Sequence, residues 1–235
     1  MYIAGTIYLH GVTLMACLDP PRGAYLTYVI QGLILLSAVS SVTTGRYFLG
    51  FLAGVTFILA LVPAVVQRNT PLCLPWEVHF LIAVSLYLHI MGHVGDYYVT
   101  FAPYYDKLAH FVASITVALL SISLAALAEH QGLVRLTRPA LAVFVLVSTL
   151  AAGVVWEIYE FVVDQALGTG LQLGNTDTML DLIVDFIGAA IISGIVAFAP
   201  ESSLKLQFTG KLDEISPDLE PGSMQGGAPD PVESR

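Results

Sequence analysis

Apolar, uncharged stretches long enough to cross about 30 Å of hydrocarbon recur along the chain at residues 2–18, 24–42, 47–66, 78–95, 108–128 and 139–156. A seventh, 179–199, is interrupted by two Asp residues. Within each stretch the apolar residues are continuous instead of forming one stripe, which is the pattern of a helix surrounded by lipid and not of a surface helix. The pattern therefore predicts an all-α, polytopic transmembrane bundle of about seven spans over residues 1–199. From residue 200 the composition changes to Pro, Gly, Ser and acids with almost no aromatic residues, and residues 200–235 read as a disordered acidic tail. The first stretch lacks a basic flank, which argues against a cleaved signal peptide.

Composition agrees with the pattern. Of the 235 residues 56% are hydrophobic and only 11% charged, where soluble domains carry about 25% charged residues. Nine Lys plus Arg against eighteen Asp plus Glu exclude nucleic acid as a partner, because neutralising phosphates needs a basic surface. The few basic residues are nonetheless informative about orientation. Alternate connections hold Arg22, Arg68, Arg135, Arg138, Lys205 and Lys211, and the opposite set holds only Arg46 and Lys107. With seven spans, the tail is expected in the cytoplasm and the N-terminus outside, in a multi-pass cell-membrane protein. Cys17 and Cys73 then both fall toward the cytoplasm, where a structural disulfide is not expected.

Charges inside the predicted spans carry the functional reading. A carboxylate at mid-membrane costs roughly 2.5 to 3.5 kcal/mol on insertion scales, so such residues need partners or a task. Here they gather. His89, His93 and Asp96 are spaced four and three apart, on one helix face; Asp106 and His110 are four apart. Glu157, Glu160 and Asp164 follow at three and four, and Asp177, Asp181 and Asp185 recur once per turn. Alternating topology places all four groups toward the same membrane face. Eight carboxylates there meet one Lys and three His, and that many like charges in a low dielectric require cations or protons. Isolated His10, His79 and His130, and the pairs Tyr97-Tyr98 and Tyr104-Tyr105, read as interfacial residues.

The ordered set Gly92-His93, Tyr105-Asp106-Lys107-x-x-His110-Phe111, Glu157-x-x-Glu160-Phe161, Asp177-Thr178-x-x-Asp181-Leu182 and Gly188-Ala189 resembles the YjdF-like family of predicted integral membrane proteins over residues 75–195. More distantly, the Asp-Lys-x-x-His helix start looks like that of VanZ-like proteins, which are associated with cell-envelope physiology. The resemblance implies a polytopic helical protein whose matching polar residues are His93, Asp106, His110, Glu157, Glu160, Asp177 and Asp181. Ala113-Ser114 departs from the family pattern after the His-Phe pair, and Asp185 lies outside the resemblance.

Three functions remain open on this reading. The first is a metal-dependent membrane hydrolase or transferase acting on a lipid or lipid-linked substrate at the outer face. Its metal ligands would be His89, His93, Asp106, His110, Asp177, Asp181 and Asp185, holding Zn²⁺, Mn²⁺ or Fe²⁺, with Glu157 and Glu160 as catalytic carboxylates. The second is a cation- or proton-coupled transporter, and the third a non-catalytic envelope protein whose polar cluster locks helices together. A retinal protein is excluded because the Lys residues, 107, 205 and 211, are outside the last span. Neither a nucleophile elbow nor a Walker loop occurs, and Glu157-x-x-Glu160 is not the Glu-x-x-His pair of di-iron bundles. The basic-residue asymmetry predicts that a Leu136→Cys variant in intact cells resists an impermeant thiol reagent added outside and reacts after permeabilisation; labelling from outside reverses the orientation.

Overall fold

The computed structural model describes residues 24–69, 74–172 and 174–198. The expected span over 2–18, the connection residues Arg22, Lys205 and Lys211, both cysteines, His10 and the 200–235 tail lie outside the described residues. Within them the chain is helical: α1 (Ala24–Thr43), α2 (Tyr47–Asn69), α3 (Trp76–Val94), the short α4 (Tyr97–Thr100), α5 (Tyr104–His130), α6 (Arg138–Leu167) and α7 (Asn175–Phe198). Six of these, all but α4, are long and apolar enough to span a membrane. Helices are the local solution because the bilayer offers no partner for backbone N–H and C=O groups, which must be satisfied within the segment.

Several helices outrun the apolar stretches that predict them. The apolar stretch 139–156 belongs to a helix that continues to Leu167, at 1.5 Å per residue roughly 45 Å long, so it takes Glu157, Glu160 and Asp164 into its last turns. Nothing stops it until Gly168, whose left-handed backbone (φ 63°) closes the helix with its N–H on the Asp164 carbonyl. In the same way α5 and α7 begin before their apolar stretches, each with an acid in the first turn, Asp106 and Asp177. Both acids sit where the helix dipole is positive.

The spans pack as two groups of three. In the first, Ile34 and Ala38 of α1, Ala53 and Ala60 of α2 and Ile90 of α3 share one buried cluster. In the second, α5, α6 and α7 share another, built from Ala118, Ile122, Ala142, Val145 and Val196, and α3 packed on α5 joins the groups. Interiors are filled by small residues and the large apolar ones point out: Ala53 and Ala83 are fully buried while Tyr47 and Phe51 are 71% and 68% exposed. That inversion fits lipid, in which burial of apolar surface between helices gains nothing and close backbone approach gains dispersion. The tightest approach is at Gly188 of α7, where a Cβ would strike the Ser114 hydroxyl of α5; the Ser114 that departs from the family pattern thus has a packing partner.

Because the second cluster lies at the late end of α5, the early end of α6 and the late end of α7, the opposite end of that group is left to the polar residues. Gly188→Val is expected to lower stability by about 1–3 kcal/mol through overpacking, read by denaturant unfolding in detergent. The lipid-facing Val147→Ala should leave it unchanged.

Candidate functional site

Four helix ends meet at the polar face: the starts of α5 and α7 and the ends of α3 and α6. The Lys107 ammonium is their hub. It contacts Asp177, lies 3.1 Å from Asp106 Oδ2, and sits 2.8 Å from the Asp181 carboxylate with its hydrogen bond to Oδ2. Asp106 precedes Lys107 on α5, whereas Asp177 and Asp181 come from the first two turns of α7, so one cation ties both helix starts together.

Asp106 is held through Oδ2, and both oxygens of Asp181 lie 2.8 Å from the ammonium; Oδ1 of each acid also faces His110, 3.9 Å from its Nε2. Glu157 Oε1 approaches the same nitrogen at 3.7 Å. On the other side of the ring, Nδ1 is 3.4 Å from Asp185 Oδ2. The ring therefore has a carboxylate beside Nδ1 and three carboxylate oxygens around Nε2. His110, Glu157, Asp181 and Asp185 are each at most 5% exposed, and His110 Nε2 and Glu157 Oε1 are buried with no hydrogen-bond partner. Asp185 is admitted to this position by Gly153 of α6, where any Cβ would collide with its carboxylate.

The remaining expected residues take different places. Glu160 is one turn beyond Glu157, half-buried, and accepts a 2.9 Å hydrogen bond from Trp156 Nε1. The His89 ring stands 6.1 Å from that of His110 and 4.7 Å from Trp156, with Nδ1 2.9 Å from the Tyr98 hydroxyl. His93, a turn further out, packs its ring 4.9 Å from Tyr98. Burial, reinforced by the charge of Asp106, raises the Tyr98 phenol above its ordinary range, so it stays protonated and able to donate to His89. Asp164 and Asp96 do not join the cluster. Asp164 organises the α6–α7 connection by accepting from Thr169 and from the backbone N–H groups of Leu171 and Gln172, and exposed Asp96 pairs loosely with Arg46 at 3.7 Å.

His89, His93, His110, Glu160 and Asp185 also line a cavity of about 560 Å³ that runs along α2, α3, α5 and α6. The polar end thus has two compartments. One is the closed acid nest around Lys107 and His110 Nε2; the other is the cleft bounded by His89, His93, Trp156 and Glu160. Sequence reading counted Lys107 only as a charge and missed both its position and the role of Gly153, since neither an ion-pair hub nor a close approach leaves a periodic signal.

With the geometry in view, the comparisons place the chain. A family model described as predicted membrane protein (DUF2238) matches residues 25–201. The chain belongs to the DUF2238 family. The match covers all six described spans of this DUF2238 protein and reaches well beyond the 75–195 resemblance; no comparison supports the more distant VanZ-like likeness. A Thermotoga maritima protein described as "Uncharacterized protein" is 29% identical over 162 residues, covering 66% of this chain and 77% of its own. No solved structure matches the chain.

The hub makes a stability prediction. Lys107→Met leaves three carboxylates uncompensated in a largely buried nest, and is expected to cost about 3–5 kcal/mol in denaturant unfolding. Adding Asp177→Asn should restore part of the loss, whereas Arg46→Met, at an exposed pair, should change stability by less than about 1 kcal/mol.

Proposed function

We propose that this integral membrane protein holds one divalent metal ion at His110 and uses it in hydrolysis or group transfer on a lipid or lipid-linked substrate. The observation that carries the reading is the pair of buried, unpartnered atoms His110 Nε2 and Glu157 Oε1, 3.7 Å apart. A ring nitrogen and a carboxylate oxygen facing each other at that distance call for a positive charge between them, either a metal ion or a proton on Nε2. Asp106 and Asp181 complete the donor set, with ligand atoms of Asp106, His110 and Asp181 all within 4.8 Å of one another.

The donors suit a transition metal. Two ligands each about 2.1 Å from an ion are at most about 4.2 Å apart, so the 3.7 and 3.9 Å separations around Nε2 fall inside that limit. Mixed imidazole and carboxylate donors favour Zn²⁺, Mn²⁺ or Fe²⁺ over the alkali cations. The outer contacts follow a known division of labour: Asp185 orients the ring through Nδ1, and Lys107 with Asp177 orients the two aspartates. His89, His93 and Asp177 then stand outside the ligand set, the first two as cleft residues and the third as a partner of Lys107.

When bound, the ion supplies Lewis acidity toward a phosphoryl or carbonyl oxygen. The chain's own residues do the rest. Glu160, fixed by Trp156 at the cleft wall, is placed as a general base for a water or substrate hydroxyl. Glu157 closes the nest between α6 and His110, and His89 with Tyr98 offers polar contacts to a head group. Orientation by the basic residues puts this face outside the cell membrane.

The transporter alternative has less support: among the described residues the half of α5–α7 away from the cluster packs around Ala118, Ile122, Val145 and Val196, and the polar side chains there are hydroxyls tied to their neighbours, Ser148 to Ser121 and Ser193 to the Ala142 carbonyl. Elemental analysis of protein purified without chelator tests the proposal. About one divalent transition metal per chain is expected in the parent, with loss in His110→Ala and Asp181→Asn and retention in Glu160→Gln. A metal-free parent that takes up protons near neutral pH would instead make His110 an imidazolium and favour the proton-coupled reading.

A further inference from the structure

The cavity that opens beside the metal nest is not shaped like a water path. Its body is lined by Leu52 and Leu59 of α2, Ile82 and Leu86 of α3, and Val117 and Leu120 of α5. Three threonines also face it, and each turns its hydroxyl back onto its own helix: Thr56 to Leu52 O at 2.9 Å, Thr116 to Val112 O at 2.7 Å and Thr149 to Val145 O at 2.8 Å. What they offer the cavity is methyl surface. Apart from Ser85 and the polar end, the lining is apolar, and at about 560 Å³ the cavity is within the range of ligand pockets.

Its depth is informative. The lining runs from His93 to Ile82 on α3, from His110 to Leu120 on α5 and from Glu160 to Thr149 on α6, ten or eleven residues on each, or roughly 15 Å at 1.5 Å per residue. That is half of an approximately 30 Å hydrocarbon core, one leaflet deep. Among the described residues α2 and α6 flank the cavity with no extended packing between them, which gives a membrane lipid a side entry without leaving the bilayer. Its histidines and Glu160 are at the cluster end of these three walls, where Asp185 of α7 joins them.

We infer that the cleft between α2, α3, α5 and α6 binds one acyl chain of a phospholipid from the leaflet on the cluster's side, with the head group held at His89, His93 and Glu160. This names the substrate class for the metal-dependent reading and rests on that reading for its catalytic meaning, but binding of the chain stands separately. The polar end then places a phosphate or ester of the bound lipid beside the His110 nest, while the bilayer itself supplies the ligand at high local concentration.

The test uses full-length protein reconstituted in nanodiscs of palmitoyl-oleoyl phosphatidylethanolamine and palmitoyl-oleoyl phosphatidylglycerol, then moved to detergent for native mass spectrometry, with metal content measured on the same samples. One phospholipid per chain is expected to persist through detergent exchange in the parent. Val117→Trp and Ala152→Phe, which fill the cleft from two different walls, should lower that retention about tenfold, and Val147→Trp, on the lipid-facing side of α6, should not. Equal retention in all four proteins, or none in the parent, overturns the inference. A metal-free parent that still keeps its lipid in the cleft-dependent way supports the cleft and removes the metal centre; a metal-loaded parent with no retained lipid does the reverse.

Discussion

One ammonium group organises the polar end of this protein. Lys107 reaches Asp106 on its own helix and Asp177 and Asp181 on α7, and no second Lys or Arg enters the nest among the described residues. Five carboxylates, those of Asp106, Glu157, Asp177, Asp181 and Asp185, therefore share one Lys and one His. Coulomb repulsion between the acids, which grows as water is excluded, is the constraint that the surrounding structure answers. Two helix starts bring their positive dipole ends to the acids, and Asp185 is set on the far side of the imidazole ring. The residual negative charge is left pointing at a single nitrogen.

An ion pair of this kind is weak evidence for stability, because desolvating the charges offsets most of their attraction. Its effect here is directional. By holding Asp106 through Oδ2 and the whole Asp181 carboxylate at 2.8 Å, Lys107 fixes the orientation in which Oδ1 of each acid faces His110. The same logic makes Asp177 a supporting residue instead of a ligand. Precision at the nest is transmitted to the fold through two close approaches, Gly153 against Asp185 and Gly188 against Ser114, which let α6 and α5 press on α7 where a larger residue would hold them apart.

The rest of the bundle separates its tasks along the membrane normal. Away from the acids, α5, α6 and α7 close over small and branched apolar residues. Toward them, the two three-helix groups part on one side and leave the leaflet-deep cleft. The aromatic residues of α4 and the start of α5 sit over its mouth, with the Tyr98 ring against His93 and its hydroxyl on His89, and the Tyr105 hydroxyl on Leu88 O at 2.9 Å.

What the sequence by itself determined is what depends on solvent and on period. Continuous apolar stretches in a chain with 11% charged residues leave the helix as the only way to satisfy the backbone in lipid, and a spacing of three or four residues puts His110 on the face of Asp106 and Asp185 on that of Asp181 whatever the packing. Alternation of the spans then brings the acids to one side. Which of those acids meet was decided only by the tertiary structure. Glu157 and Glu160 are three residues apart on the same helix, yet the packing of α6 on α5 and α7 turns Glu157 to the nest and Glu160 to the cleft. His89 and His93 share a face with each other but turn to Tyr98 and the cleft, and Asp164, identical in spacing to its neighbours, serves the loop after Gly168. Period fixes a residue's azimuth on its own helix; only the packing of helix against helix decides what that azimuth faces.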